Sequence, residues 1–222
     1  MGNYDPTAFP DRQMYFWEVG STGSLAWAPP VLAQAAYHVT RAPAELLAAY
    51  VRESQTLNGH HDASTAITHI LTHHTDYPPA DVESLLQGLE EIALTGALSS
   101  LRAESAFRLS IPGSRRALHP IPGAFPRLAR VYRESSDVLV RRMVVNVMGD
   151  LTDRGEAAAF LERVASEEPP GGIAGRALAS LLTMGDEGRL VLKRLHETKA
   201  VRDPEVSMDL STIAKNGYRL KR

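Results

Sequence analysis

The stretch VLVRRMVVNVMGDL, residues 138–151, decides the fold because it is almost entirely apolar and yet contains an arginine pair. A strand would need alternating apolar and polar residues, and the opening triplet VLV has no alternation. On a helix, four apolar residues fall at offsets of 0, 4, 7 and 8 and form one stripe. These residues are Val140, Val144, Val147 and Met148. We therefore predict a helix with one solvent-facing side, capped at its start by Asp137.

The same offsets recur 34 residues later and again 32 residues after that. The recurring sets are Ala174, Leu178, Leu181 and Leu182, followed by Val206, Leu210, Ile213 and Ala214. Two upstream sets match as well, the second with a polar first member: Ala63, Ile67, Ile70 and Leu71, and Ser99, Ala103, Ala106 and Phe107. Three matches in succession at a nearly constant spacing indicate an internal repeat.

A second helix type, with apolar residues at offsets of 0, 3, 4 and 7, lies between the first. Its sets begin at Pro43, Val82, Phe125, Ala157 and Gly188. Helix boundaries agree with this alternation. Asp153 and Glu156 have the spacing of a capping box at a helix start. Gly185 lies where a glycine commonly ends a helix. Asp203 is a candidate cap, and Pro204 follows it at the first helical position.

The chain is therefore predicted to be all-α, an α–α superhelix of about five helix pairs in which each pair buries its stripe against its neighbours. These pairs resemble HEAT repeats. The best local match is Asp-x-x-Val-Arg, from Asp137 to Arg141, which opens a first helix. The resemblance is strongest over residues 137–216 and looser over 63–134, and it implies one HEAT-like solenoid domain over residues 30–222. A helical bundle without repeats is the alternative.

Composition narrows the function classes. The 222 residues carry a net charge of −2 and contain no cysteine, which fits a reducing compartment and excludes disulfides and thiolate catalysis. No apolar run is long enough to span a membrane, and the N-terminus lacks the basic start and apolar core of a signal peptide. We expect a cytoplasmic protein without membrane insertion.

Residues 1–29 have no helical period but contain both tryptophans, Trp17 and Trp27. Tryptophan is favoured as an anchor at protein interfaces, so this segment is a candidate arm for binding a partner. The terminal repeat of a solenoid also needs a cap, because its apolar face is otherwise uncovered. Both interpretations of the aromatic-rich segment stay open, and the two can coexist.

An arginine-rich region spans residues 102–142, with nine arginines against three acids. Helix periodicity predicts that Arg127 and Arg130 are exposed, and the HEAT resemblance places such second-helix residues on a concave surface. Together with Arg141 and Arg142 they are candidates for binding an anionic partner, either an acidic protein surface or, less favoured, nucleic acid. Positions equivalent to Arg130 in the other second helices are mixed in character: Ala48, Gln87, Glu162 and Lys193.

His69 and His73 are four residues apart and form a weak metal candidate, which we expect on the solvent side of their helix. The metalloprotease arrangement needs a glutamate directly after the first histidine, where this chain has Ile70. We predict no metal, no cofactor and no catalytic set.

The resulting hypothesis is a non-enzymatic scaffold, adaptor or regulatory subunit that binds another protein. The alternative is a nucleic-acid-binding protein similar to the HEAT-like DNA glycosylases that act on alkylated bases. Those enzymes depend on aromatic side chains and an aspartate in their concave groove. Both tryptophans of this chain lie in the N-terminal segment instead, so no catalytic residue is carried over.

Overall fold

The chain is all-α over the residues that the computed structural model describes, namely 43–55, 62–114, 117, 120, 123–170 and 172–218. These ranges contain ten α-helices, two short 3₁₀ helices and no β-strand. None of the described helices is long and apolar enough to cross a membrane. The predicted N-terminal arm, with Trp17 and Trp27, lies outside the described residues.

Each predicted set of apolar residues lies within one of the helices. The helices are α1 Pro43–Glu53, α2 Asp62–Thr72, α3 Pro79–Thr95, α4 Ser99–Ser110, α5 Ala124–Glu134, α6 Val138–Met148, α7 Arg154–Glu167, α8 Ile173–Thr183, α9 Asp186–Thr198 and α10 Pro204–Lys215. The 3₁₀ helices are His74–Asp76 and Ile111–Gly113.

The chain divides into two compact units, Met1–Glu91 and Ile92–Arg222, with the division inside α3. In the first unit α1 packs against α2. The carboxylate of Glu53, the last residue of α1, accepts the backbone N–H groups of Ala63 at 2.8 Å and Ser64 at 3.3 Å. A side chain from the preceding helix thus satisfies the free amides at the start of α2.

In the second unit each helix contacts the helices one and two places along the chain. α4 packs against α6, α6 against α8 and α8 against α10, while α5 packs against α7 and α7 against α9. Alternate helices are therefore direct neighbours.

The predicted stripe of α6 is buried in full, since all four of its apolar residues have at most 5% of their surface exposed. Burial of each such side chain stabilises the fold by about 1.5–3 kcal/mol. The prediction for α4 was wrong in register. Of the predicted set, Ser99 is exposed and Phe107 is half-buried. The set with the same offsets that is buried throughout starts two residues later and consists of Leu101, Ser105, Arg108 and Leu109. α4 is buried on several sides, so its polar Ser105 and Arg108 lie inside and obscure the stripe.

The predicted helix boundaries are confirmed with one exception. Asp137 accepts the backbone N–H of Leu139 at 2.8 Å, and Asp203 accepts that of Glu205 at 2.9 Å. Gly185 follows the end of α8 with a φ of 70°, a conformation that glycine adopts without strain. Asp153 does occupy the N-cap of α7, but its side chain makes no capping hydrogen bond. The capping box predicted there is therefore not formed.

Two glycines allow neighbouring helices to approach closely. A Cβ atom built on Gly188 of α9 would lie 1.8 Å from the carbonyl oxygen of Leu181 in α8. One built on Gly149, after α6, would lie 2.9 Å from the carbonyl oxygen of Ser180. Backbone atoms cannot move aside as a flexible side chain can, so both positions require glycine.

Gly188→Ala is expected to lower the free energy of unfolding by about 1–3 kcal/mol, because the added methyl group forces α8 and α9 apart. Gly155→Ala is the matched control, since a Cβ atom at Gly155 meets no atom within 4 Å. The control should be neutral or stabilise by up to about 1 kcal/mol, because alanine has the higher helix propensity. Urea unfolding followed by circular dichroism measures both changes. Equal stability of the two variants would contradict the close approach of α8 and α9.

Candidate interaction surface

The start of α6 is held by the carboxylate of Asp137. One oxygen caps α6 through the N–H of Leu139, and the other accepts a hydrogen bond from Nη2 of Arg102 in α4. The same guanidinium nitrogen also donates to the hydroxyl of Ser99 at 3.2 Å. Hydrogen bonds from Ser99, Arg102 and backbone amides lower the pKa of Asp137 to about 2. The carboxylate of Asp137 thus fixes the start of α6 to α4.

Arg141 links α6 to the end of the following helix, α7. Its Nη2 donates to Oε1 of Glu168, directly after α7, and the hydroxyl of Tyr132 donates to the same oxygen at 2.7 Å. The guanidinium carbon of Arg141 lies 4.4 Å from the centre of the Tyr132 ring. Burial and the hydrogen bond to Glu168 raise the pKa of Tyr132. Arg141 is therefore 26% exposed and ion-paired, rather than the open surface charge that we expected.

Much of the predicted basic region is neutralised internally. Arg130 is 53% exposed, as predicted, but its Nε lies 2.9 Å from a carboxylate oxygen of Glu134. Arg127 is half-buried instead of exposed and also has an interaction partner. Arg108 is buried and paired with Glu104. The excess of arginine in the sequence does not translate into a continuous basic surface on these helices.

Arg142 differs from these neighbours because it is exposed and has no ion-pair partner among the described residues. Arg176 of α8, 34 positions further on, shares both properties. Sequence reasoning missed Arg176, although the repeat spacing applied to Arg142 would have found it. On α6, Val138 and Leu139 are 55% and 45% exposed. We call Val138, Leu139, Arg142 and Arg176 the α6–α8 face.

The rings of the candidate metal pair, His69 and His73, are not oriented to bind one metal ion together. The rings of His69 and His73 are stacked, with centroids 4.0 Å apart and planes inclined by 26°. Nδ1 of His73 lies 3.1 Å from the carbonyl oxygen of His69. Lone pairs lie in the ring planes, so stacked rings direct them nearly parallel and not towards a shared ion. No group of three or more potential ligands occurs among the described residues.

Both histidines are half-buried, so the pair faces the solvent only in part. Each ring covers the other, because residues four apart lie over one another on a helix. Burial and the neighbouring His73 lower the pKa of His69, while Asp76 opposes that shift. His60 and His61 lie outside the described residues.

Comparisons with protein-family models, with curated proteins and with solved structures gave no match to this chain. The resemblance to HEAT repeats is accordingly a prediction from the sequence pattern.

Asp137→Asn is expected to lower the free energy of unfolding by about 1 kcal/mol at neutral pH, because the amide retains the cap but loses the charge opposite Arg102. The stabilisation from the ionised carboxylate is present above its ordinary pKa of 3.8 and is lost as the pH falls through about 2. Unfolding measured across this range should show the two proteins converging in acid. A constant difference down to pH 2 would contradict the assignment.

His69→Gln is expected to flatten the dependence of Tm on pH below 6.5, the ordinary pKa of histidine. The folded state resists protonation, so the unfolded state binds more protons below that value and the wild-type protein loses stability as the pH falls. Thermal melts from neutral pH down to about pH 5 should show the smaller slope in the variant. Parallel profiles would show that the His69 pKa is the same in both states.

Proposed function

We propose that the chain is a HEAT-like α-solenoid that acts as a non-enzymatic scaffold, adaptor or regulatory subunit by binding another protein. Repeated helix pairs bury their stripes against each other and leave their outer faces as a regular array of side chains. Such a surface recognises a partner by shape and by the spacing of its side chains. A chain without cysteine suits a reducing compartment, and the cytoplasm is therefore part of the proposal.

The observation that supports this architecture is the number of residues in the sequence between the partners of the side-chain hydrogen bonds in the second unit. Links between alternate helices join residues 32 to 36 positions apart, close to the 32–34 spacing of the sequence repeat. They join Arg102 to Asp137, Tyr132 to Glu168, Val145 to Ser180, Arg154 to Glu187 and Glu162 to Arg194. A bundle without repeats has no reason to place its contacts at one recurring separation.

These links also favour a rigid surface over an adaptable one. The carboxylate of Glu162 in α7 accepts two hydrogen bonds from Arg194 in α9, at 2.5 and 2.6 Å. A bidentate pair of this kind fixes relative orientation as well as distance. A surface held in this way can bind a partner without a large loss of conformational freedom.

Capture of partners from a native lysate, with and without nuclease, tests the proposed function. We expect a protein at stoichiometric amounts that survives nuclease and that re-forms the complex when both components are purified. The tag alone serves as the control for the capture step. Recovery that disappears with nuclease, together with DNA binding that weakens steeply with salt, would contradict the proposal and support the nucleic-acid alternative.

A further inference from the structure

Arg142 and Arg176 occupy equivalent positions on α6 and α8, two helices that pack against each other. The hydroxyl of Ser180 in α8 donates to the carbonyl oxygen of Val145 in α6 at 2.9 Å. Thr183 also approaches Gly149, the residue 34 positions before it. Residues 34 or 35 positions apart are therefore neighbours across this contact, which aligns Arg142 with Arg176. Both are exposed, at the same offset from a fully buried residue of their own helix.

Helices α6 and α8 carry positive side chains and no negative ones. Neither α6, with the sequence VLVRRMVVNVM, nor α8, with the sequence IAGRALASLLT, contains a carboxylate. Of their three arginines, Arg141 is paired with Glu168 and the other two have no ion-pair partner among the described residues. The second helices, α5, α7 and α9, differ because each carries carboxylates of its own, such as Glu134 on α5 and Glu162 on α7. The next first helix, α10, bears Glu205 and Asp209, so the basic character ends there.

Apolar side chains adjoin these arginines on α6. Val138 lies four residues before Arg142 and Leu139 lies three residues before it, so all three share one side of the helix. Leu98, which is also exposed, precedes Ser99 at the start of α4, and that start is tied to Asp137. The α6–α8 face thus combines two adjacent exposed aliphatic side chains with two arginines that have no ion-pair partner among the described residues. Arginine is enriched among the residues that dominate the binding energy of protein interfaces.

We propose that the α6–α8 face is the docking site for an acidic linear segment of a partner protein, which places carboxylates against Arg142 and Arg176 and an apolar side chain against Val138 and Leu139. This assignment rests on the proposed function, and it names the surface and the partner chemistry. Guanidinium groups bind carboxylates through two parallel hydrogen bonds, so two of them at fixed spacing select for acids at matching positions. The apolar contact supplies affinity that exposed ion pairs alone do not give.

A display library of random linear peptides, selected on the full chain, tests the docking site without knowledge of the natural partner. Selected peptides should contain at least two carboxylates and an aliphatic or aromatic residue. They should bind the Arg142→Glu/Arg176→Glu variant at least about tenfold more weakly than the wild-type protein. Peptides with lysine in place of the acids should recover binding to that variant, which shows that the variant is folded and that the loss is electrostatic.

Arg133→Glu/Arg163→Glu is the matched control. It makes the same change in net charge at two exposed arginines of α5 and α7 that have no ion-pair partner among the described residues. Selected peptides should bind this control with nearly wild-type affinity. Equal losses in both double variants would overturn the site in favour of a general charge effect, and a failure to select acidic peptides would overturn the partner chemistry.

Two further probes separate other anionic ligands from a protein segment. A duplex DNA oligonucleotide or a vesicle containing phosphatidylserine that binds through Arg142 and Arg176, when no acidic peptide does, would overturn the proposed occupant. The proposed function is tested independently by the captured partner. A nuclease-resistant partner that binds the Arg142→Glu/Arg176→Glu variant as tightly as the wild-type protein would leave the scaffold function standing and place docking elsewhere.

Discussion

The registered packing of α6 against α8 is the interaction on which the second unit depends. Gly149 lacks a side chain, so the backbone of α8 can come close, and Ser180 donates to the backbone of α6 across the contact. The hydroxyl of Ser180 is buried, and an unmade hydrogen bond there would cost about 1–3 kcal/mol. A shift along the helix axis would break that bond and misalign the stripes. Arg142 and Arg176 occupy equivalent positions on these two helices.

Local sequence signals predicted the all-α class and most of the helix boundaries, because the interactions that determine both are local. The stripe of α6, the cap at Asp137 and the proline after Asp203 each depend on residues within two helical turns. The register of α4 could not be read in this way. Its interior includes Ser105 and Arg108, so burial there is decided by the surrounding helices and not by the helix's own pattern.

The candidate surface was less predictable because side-chain pairing is not local. Arg141 looked available on its helix, but its partner Glu168 lies 27 residues away in the sequence. The stacking of His69 on His73 also depends on rotamers, which periodicity does not specify. Arg142 was identified correctly as exposed, since a helix made of apolar residues on one side leaves its charges on the other. Its place in the proposed docking site follows from the absence of acids on α6 and α8 and from the equivalent position of Arg176.

The most direct test of this account is a set of distances between spin labels at positions 142, 176 and 208, introduced as cysteine pairs into a chain that has no cysteine of its own. If α6, α8 and α10 stack in register, the 142–176 and 176–208 pairs should give similar short distances. The 142–208 pair should give about twice that value, since packed helix axes lie about 8–10 Å apart. A 142–176 distance as long as the 142–208 distance would contradict the repeated stacking of helix pairs.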